Sequence, residues 1–155
     1  MNDPGTFSQI YIQIIFAVKN RNTLISKIWE EELYKYISGI ITNKDQKLIA
    51  INGMEDHIHI LIGMRASCRL SDLVREIKKS STNWINERGF AQKSFRWQAG
   101  FGAFSYTQSS LPNIISYIEN QKKHHQKKSF REEYISFLKH YEIKFKDEYL
   151  FEWIE

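Results

Sequence analysis

The stretch Asp56-His57-Ile58-His59-Ile60-Leu61-Ile62 decides how the rest of the chain is read. Two histidines alternate with large aliphatics, which is the two-residue period of a β-strand. Successive strand side chains point to opposite faces. His57, His59 and Leu61 therefore share one face, and Ile58, Ile60 and Ile62 share the other. Residues two apart on a strand lie roughly 6.5–7 Å apart, near enough for two imidazoles to converge on one ion. A strand histidine is also commonly just a hydrogen-bonded, half-buried residue, so the pair alone leaves both readings open.

Upstream, Lys47 to Asn52 reads as a strand and Gly53 to Asp56 as the turn into the histidine strand, which Gly63 closes. Before them, Trp29, Leu33, Tyr36, Ile37, Ile40 and Ile41 keep the three-four spacing of an amphipathic helix. Glu30, Glu31 and Glu32 suit its N-terminal dipole, and Asn43-Lys44-Asp45 ends it. Gln9 to Val18 alternates as a strand. Ile10, Ile12, Ile14, Phe16 and Val18 make its apolar face, with Gln9, Tyr11 and Gln13 opposite.

Downstream, Leu70, Leu73, Val74, Ile77, Trp84 and Ile85 stripe a second helix that Gly89 ends. Arg75, Lys78, Lys79 and Thr82 form an opposite, basic stripe suited to phosphates or simply to water. Phe95 to Gly102 is aromatic and glycine-rich, and Ala103 to Thr107 reads as a fourth strand. Ser109 or Ser110 is expected to cap a third helix with Pro112 in its first turn, running on through His125. A last amphipathic helix covers Phe130 to His140, and the aromatic, acidic tail from Ile143 to Ile154 has no clear period.

The order strand, helix, strand, strand, helix, strand, helix matches an α+β, ferredoxin-like split βαβ sheet. In that arrangement the isoleucine faces meet the first two helices. The face carrying His57, His59, Tyr11 and Gln13 is expected to stay open, as in modules that stack single-stranded nucleic acid.

Composition narrows the class. With 155 residues, 42% of them hydrophobic, and two prolines, the chain is expected to be one folded domain, 1–155, with a core of about 9–140 and a tail of 141–155. The single cysteine, Cys68, excludes an internal disulfide and fits a reducing cytoplasm. No apolar run reaches membrane-spanning length and no leader is evident, so no membrane partner is expected. A nucleotide cofactor is not expected either. The net charge of +4 is unevenly spread. Gln121 to Arg131 holds Lys122, Lys123, Lys127, Lys128 and Arg131 without an acid, whereas Glu132 to Glu155 holds seven acids. The basic run reads as a surface for a polyanion, with a solvated helix face as the plain alternative.

On the third helix, Leu111, Ile114, Ile115 and Ile118 form the apolar stripe. Tyr117, Gln121, His124 and Lys128 line its edge at spacings of four, three and four. Asp56-His57-Ile58-His59, then Phe95-Arg96-Trp97-Gln98-Ala99-Gly100-Phe101-Gly102-Ala103-Phe104-Ser105, then Tyr117-Ile118-Glu119-Asn120-Gln121 with His124-His125, resembles one family in motif, order and spacing. These are the HUH (His, hydrophobic, His) single-strand DNA tyrosine transposases of the insertion-sequence two-hundred/six-hundred-and-five group, with relatives acting at repetitive extragenic palindromes. The resemblance spans roughly Gln9 to His140.

The resemblance implies His57, His59 and Gln121 as metal ligands and Tyr117 as the nucleophile. It also implies magnesium or manganese, a homodimer, and single-stranded, hairpin-bearing DNA as partner. In the best understood members the tyrosine helix of one subunit serves the histidine pair of the other. Arg75, Lys78, Lys79, Lys122, Lys123, Lys127 and Lys128 are candidate phosphate contacts. Phe101 stands where a tyrosine is common, and Tyr106, a second tyrosine near the site, stands where a small aliphatic is common.

These residue types suit strand transfer. A phenol with a pKa of about 10 is a poor nucleophile unless its deprotonation is assisted. Two neutral imidazoles and an amide leave a divalent ion its full charge for a phosphate, although such ligands would also accept zinc or cobalt. Tyrosine attack gives a 5′-phosphotyrosine and a free 3′-hydroxyl, which keeps the bond energy for rejoining. Two other readings stand beside this one. The first is a catalytically silent hairpin- or single-strand-binding module of the same fold. The second is an unrelated metalloenzyme built from His57, His59, His124 or His125, and Asp56.

Overall fold

The computed structural model describes residues 4–154, so Met1–Asp3 and Glu155 of the expected domain lie outside the described residues. Strand β1 (Tyr11–Ala17) lies between β3 (His57–Gly63) and β4 (Gly102–Tyr106), and β2 (Lys47–Gly53) pairs on the far side of β3. All three pairings are antiparallel, giving the order β2-β3-β1-β4. This is the split βαβ sheet, with connecting helices α1 (Glu30–Asn43) and α2 (Leu70–Arg88).

Alternation sets the faces. Ile14 and Phe16 of β1 and Ile58, Ile60 and Ile62 of β3 are buried in one cluster with Leu33, Ile37 and Ile41 of α1 and Leu73, Val74, Ile77 and Ile85 of α2. Each such side chain contributes about 1.5–3 kcal/mol by leaving water. The register pairs Ile15 with His59 and Ala17 with His57, so both histidines point away from α1 and α2.

That second face is not open, contrary to the expectation from the strand pattern. Helices α3 (Leu111–Glu119) and α5 (Phe130–His140) cover it, joined by the short α4 (Gln121–His124). His57, His59 and Gln13 are each 0% exposed. The physical reason is the company they keep. Ile15, Ala17, Leu61 and Phe104 also lie on this face and are buried. Ile118 of α3 packs on Ala50 and Leu61, while Phe130, Tyr134 and Leu138 of α5 join the main core.

The third helix is also not continuous to His125. Asn120 closes α3, and its Nδ2 donates to the Ser116 carbonyl at 2.8 Å. Asn52 Nδ2 on β2 donates to the carbonyls of Ile118 and Glu119 at 3.0 and 3.1 Å, satisfying helix-end acceptors. At the start of α3, a 3-10 turn over Gln108–Ser110 precedes the helix, and neither serine makes a side-chain cap.

The tail folds back to fix α5. Gln98 Nε2 donates to the carbonyls of Val18 and Glu152 at 2.9 and 2.7 Å, and its Oε1 accepts from the Glu152 amide at 2.6 Å. Phe151 and Trp153 pack on Phe130 and Tyr134.

The β2–β3 turn depends on a glycine. A Cβ at Gly53 would collide with the His57 carbonyl oxygen and sit 2.9 Å from Ile58 Cα, both backbone atoms. A Cβ at Gly39, within α1, would meet nothing within 4 Å. Gly53→Ala is therefore expected to destabilise the protein by about 1–3 kcal/mol. Gly39→Ala is expected to stabilise it by about 0.5–1 kcal/mol. Urea denaturation of the two variants reads both signs.

Candidate active site

Strand β3 supplies the first half of the site and fixes both rings from behind. His57 Nδ1 donates to Asp56 Oδ1 at 2.7 Å, and His59 Nδ1 donates to Gln13 Oε1 at 2.7 Å. Gln13 is oriented in turn, because its Nε2 donates to the Tyr106 hydroxyl at 2.7 Å. With each Nδ1 occupied, each Nε2 faces inward, the arrangement by which outer hydrogen bonds set the tautomer of metal-ligating histidines.

The helices supply the second half. Gln121 Oε1 lies 3.2 Å from His57 Nε2 and 3.0 Å from His125 Nε2. Tyr117 is half-buried on α3, and its ring centroid is 5.9 Å from that of His59 in the same chain. Glu133 of α5 stands at the centre, 2% exposed. Its Oε1 is 3.1 Å from His59 Nε2, 3.4 Å from His57 Nε2 and 3.2 Å from His125 Nε2. Its Oε2 accepts from Gln121 Nε2 at 3.1 Å and from the Tyr117 hydroxyl. Phe130 stacks on the His57 ring at 3.9 Å between centroids and closes one side.

All four residues predicted to form the catalytic set, His57, His59, Tyr117 and Gln121, thus converge within one chain. Glu133 and Gln13 were missed, and His125 was foreseen only as an alternative ligand. A signal for Glu133 existed. It is an acid within the apolar stripe Phe130, Tyr134, Phe137 and Leu138, where charge is out of place unless it has a partner. Asp56 bonds the outer nitrogen of His57 and does not converge with the inward atoms.

The basic candidates divide. The Lys78 ammonium donates to the carbonyls of Gln98 and Gly100 at 2.9 and 2.6 Å, holding the aromatic loop. Lys122 is engaged by Glu30 and by the Gly53 carbonyl. Arg75 pairs with Asp72 at 3.3 Å but is exposed, as are Lys79, Lys123 and Lys127, and Lys128 is half-buried. Of the two departures from the family pattern, Phe101 packs against the core, and Tyr106 supports His59 through Gln13.

Four inward ligand atoms, from His57, His59, His125 and Glu133, lie within 4.8 Å of one another. The His124 Nε2 is buried without a hydrogen bond, 3.6 Å from Glu133 Oε2. Such a donor set fits a divalent cation. Without an ion, charge is balanced by protons. Burial pushes the Glu133 carboxyl up, but His59 and hydrogen bonds with both strand histidines outweigh it and hold it at about 2. Burial pushes His57 down, but hydrogen bonds to Asp56 and Glu133 outweigh it and raise it to about 9. Burial lowers His59 despite Glu133. Burial and the charge of His57 lower His125 to about 4.

A pH dependence follows for chelator-treated protein. The Glu133 contribution to stability is full above its ordinary value of 4.5 and is lost as pH falls toward about 2. The His57 contribution is full below its ordinary 6.5 and is lost as pH rises toward about 9. Urea midpoints measured across this range should fall at both ends, and Glu133→Gln should flatten the acid limb.

Comparisons with known proteins bear on the family and the fold. The family model described as "Transposase IS200 like" matches residues 6–121. No curated protein matches the chain. Among solved structures, a protein described as a transposase from Deinococcus radiodurans R1 is 21% identical, with a TM-score of 0.63 over 78% of this chain and 97% of that one. A REP-associated tyrosine transposase bound to a REP hairpin is 17% identical, with a TM-score of 0.60 over 81% of this chain and 74% of that one. These two likenesses speak for the fold, and the family match covers most of the sequence. The chain belongs to the IS200-like transposase family.

Proposed function

We propose that this transposase cleaves and rejoins single-stranded DNA at hairpin-bearing ends, with Tyr117 as nucleophile and a 5′-phosphotyrosine intermediate. The observation that carries the reading is the Tyr117 hydroxyl in the histidine pocket of its own chain, bonded to Glu133, which also contacts both strand imidazoles. The functional unit is one domain, 1–155, and the assembly is a homodimer in which each subunit uses its own tyrosine.

The residues divide the task. Tyr117 Oη gives up its proton and attacks the phosphorus, forming the O–P bond as the P–O3′ bond breaks, and the departing 3′-oxygen takes up a proton to become the free 3′-hydroxyl. Attack by a different 3′-hydroxyl reverses the polarity and returns the phenol. Asp56 and Gln13 hold the two imidazoles in register, so His57, His59 and the Gln121 amide oxygen present lone pairs to one point. Magnesium or manganese held there would stabilise the charge that builds on the phosphate oxygens. The apolar cover from Phe130, stacked on His57, limits water at the intermediate and favours transfer over hydrolysis.

A cavity of about 410 Å³ beside the site is lined by Asp56, His125, Phe130 and Arg131. With Lys127 and Lys128 nearby in sequence, it supports a path for a phosphate backbone.

Two tests address the reading. Incubation with single-stranded element ends and magnesium should give a covalent protein–DNA adduct, and Tyr117→Phe should abolish it while the protein still binds hairpin DNA. An adduct formed by Tyr117→Phe would remove Tyr117 as the nucleophile. Tight hairpin binding by the natural chain with no adduct under any divalent ion would instead favour the silent module. Lys127→Ala and Lys128→Ala should each lower the salt dependence of DNA binding by about one unit in the log–log slope.

A further inference from the structure

The matched family segment ends at Gln121, yet a buried carboxylate of the site comes from beyond it. Glu133 reaches in from α5, 2% exposed, with its two oxygens turned to different tasks. Oε1 lies 3.1–3.4 Å from the Nε2 atoms of His59, His125 and His57. Oε2 meets the Tyr117 hydroxyl and Gln121 Nε2.

The tautomers sharpen this. His59 gives its Nδ1 proton to Gln13, so in the neutral ring its Nε2 carries a lone pair. That lone pair faces Glu133 Oε1, itself an acceptor, at 3.1 Å. Two acceptors buried face to face require a proton or a metal cation between them, and the convergence of the His57 and His125 nitrogens on the same point suits the metal. The geometry points to Glu133 as a further ligand of the divalent ion through Oε1 and, through Oε2, as the anchor of the Tyr117 hydroxyl. One carboxylate then ties the ion and the nucleophile to each other.

This inference rests on reading the histidine pair as a divalent-ion site, and it deepens that reading. With His57, His59 and Gln121 alone the donors are two nitrogens and one neutral oxygen. Glu133 adds an anionic oxygen and moves the set toward the oxygen-rich coordination that magnesium and manganese prefer. It also makes α5 part of the site rather than only its cover. The capping box that starts α5, Ser129 with Glu132, and the packing of Phe151 and Trp153 on Phe130 and Tyr134 hold Glu133 in place.

Manganese binding tests it without any need for catalysis. Isothermal titration of chelator-treated protein should show Glu133→Gln binding Mn2+ about 10–100-fold more weakly than the natural chain. Electron spin-echo spectroscopy at saturating Mn2+ should still detect two imidazole nitrogens in that variant, as expected for a lost ligand in a preserved site. Glu133→Asp keeps the charge and shortens the reach. It should recover part of the affinity, and it carries the test if the Gln variant does not fold. Unchanged Mn2+ affinity in folded Glu133→Gln, with binding lost in His59→Ala, would overturn the role of Glu133 and leave the ion site standing. Unchanged affinity in both His57→Ala and His59→Ala would overturn the ion site itself, and this inference with it.

Discussion

The carboxylate of Glu133, buried among imidazoles, is the interaction on which the candidate site depends. A lone buried carboxylate is costly, and here it is compensated from several sides at once: the Gln121 amide and the Tyr117 phenol donate to it, and the His57 ring lies 3.4 Å away. Removing any one partner leaves the others facing an under-compensated charge. The same contacts therefore draw β3, α3, α4 and α5 to one point, which neither the sheet hydrogen bonds nor the helix packing does alone.

The two faces of the sheet divide the labour. The isoleucine face meets α1 and α2 and holds most of the apolar burial. The histidine face mixes apolar residues with buried polar ones, and each polar residue there is held by another: His57 by Asp56, His59 by Gln13, and Gln13 by Tyr106. The stable face anchors a site whose own groups are poorly suited to burial. The C-terminal tail completes the arrangement by tying back to Gln98, which fixes the helix that carries Glu133.

Electrostatics at the surface are less specific than the site. Lys78 and Lys122 hold loops and turns through backbone carbonyls, so not every cation in a basic run faces solvent. Among the candidate phosphate contacts, Arg75, Lys79, Lys123 and Lys127 are exposed.

Much of this was legible in the sequence. Alternation in Tyr11–Ala17 and His57–Gly63 determined the strands and the face each side chain takes, because the period of a strand is local. Helical spacing determined α1, α2 and α5 for the same reason, and the four-residue spacing of Tyr117 and Gln121 turned both toward the site although a break at Asn120 divides them between α3 and α4. Only the tertiary structure decided that the histidine face is covered, that α3 breaks at Asn120, and that Glu133 enters the site. These depend on contacts between residues far apart in the chain, such as Asn52 with the end of α3, or Glu133 with His59, separated by 74 positions. Helical spacing sets Glu133, an acid, on the apolar stripe of Phe130, Tyr134 and Phe137, a signal that by itself names no partner. Which partners made that place tenable was a matter of three-dimensional packing.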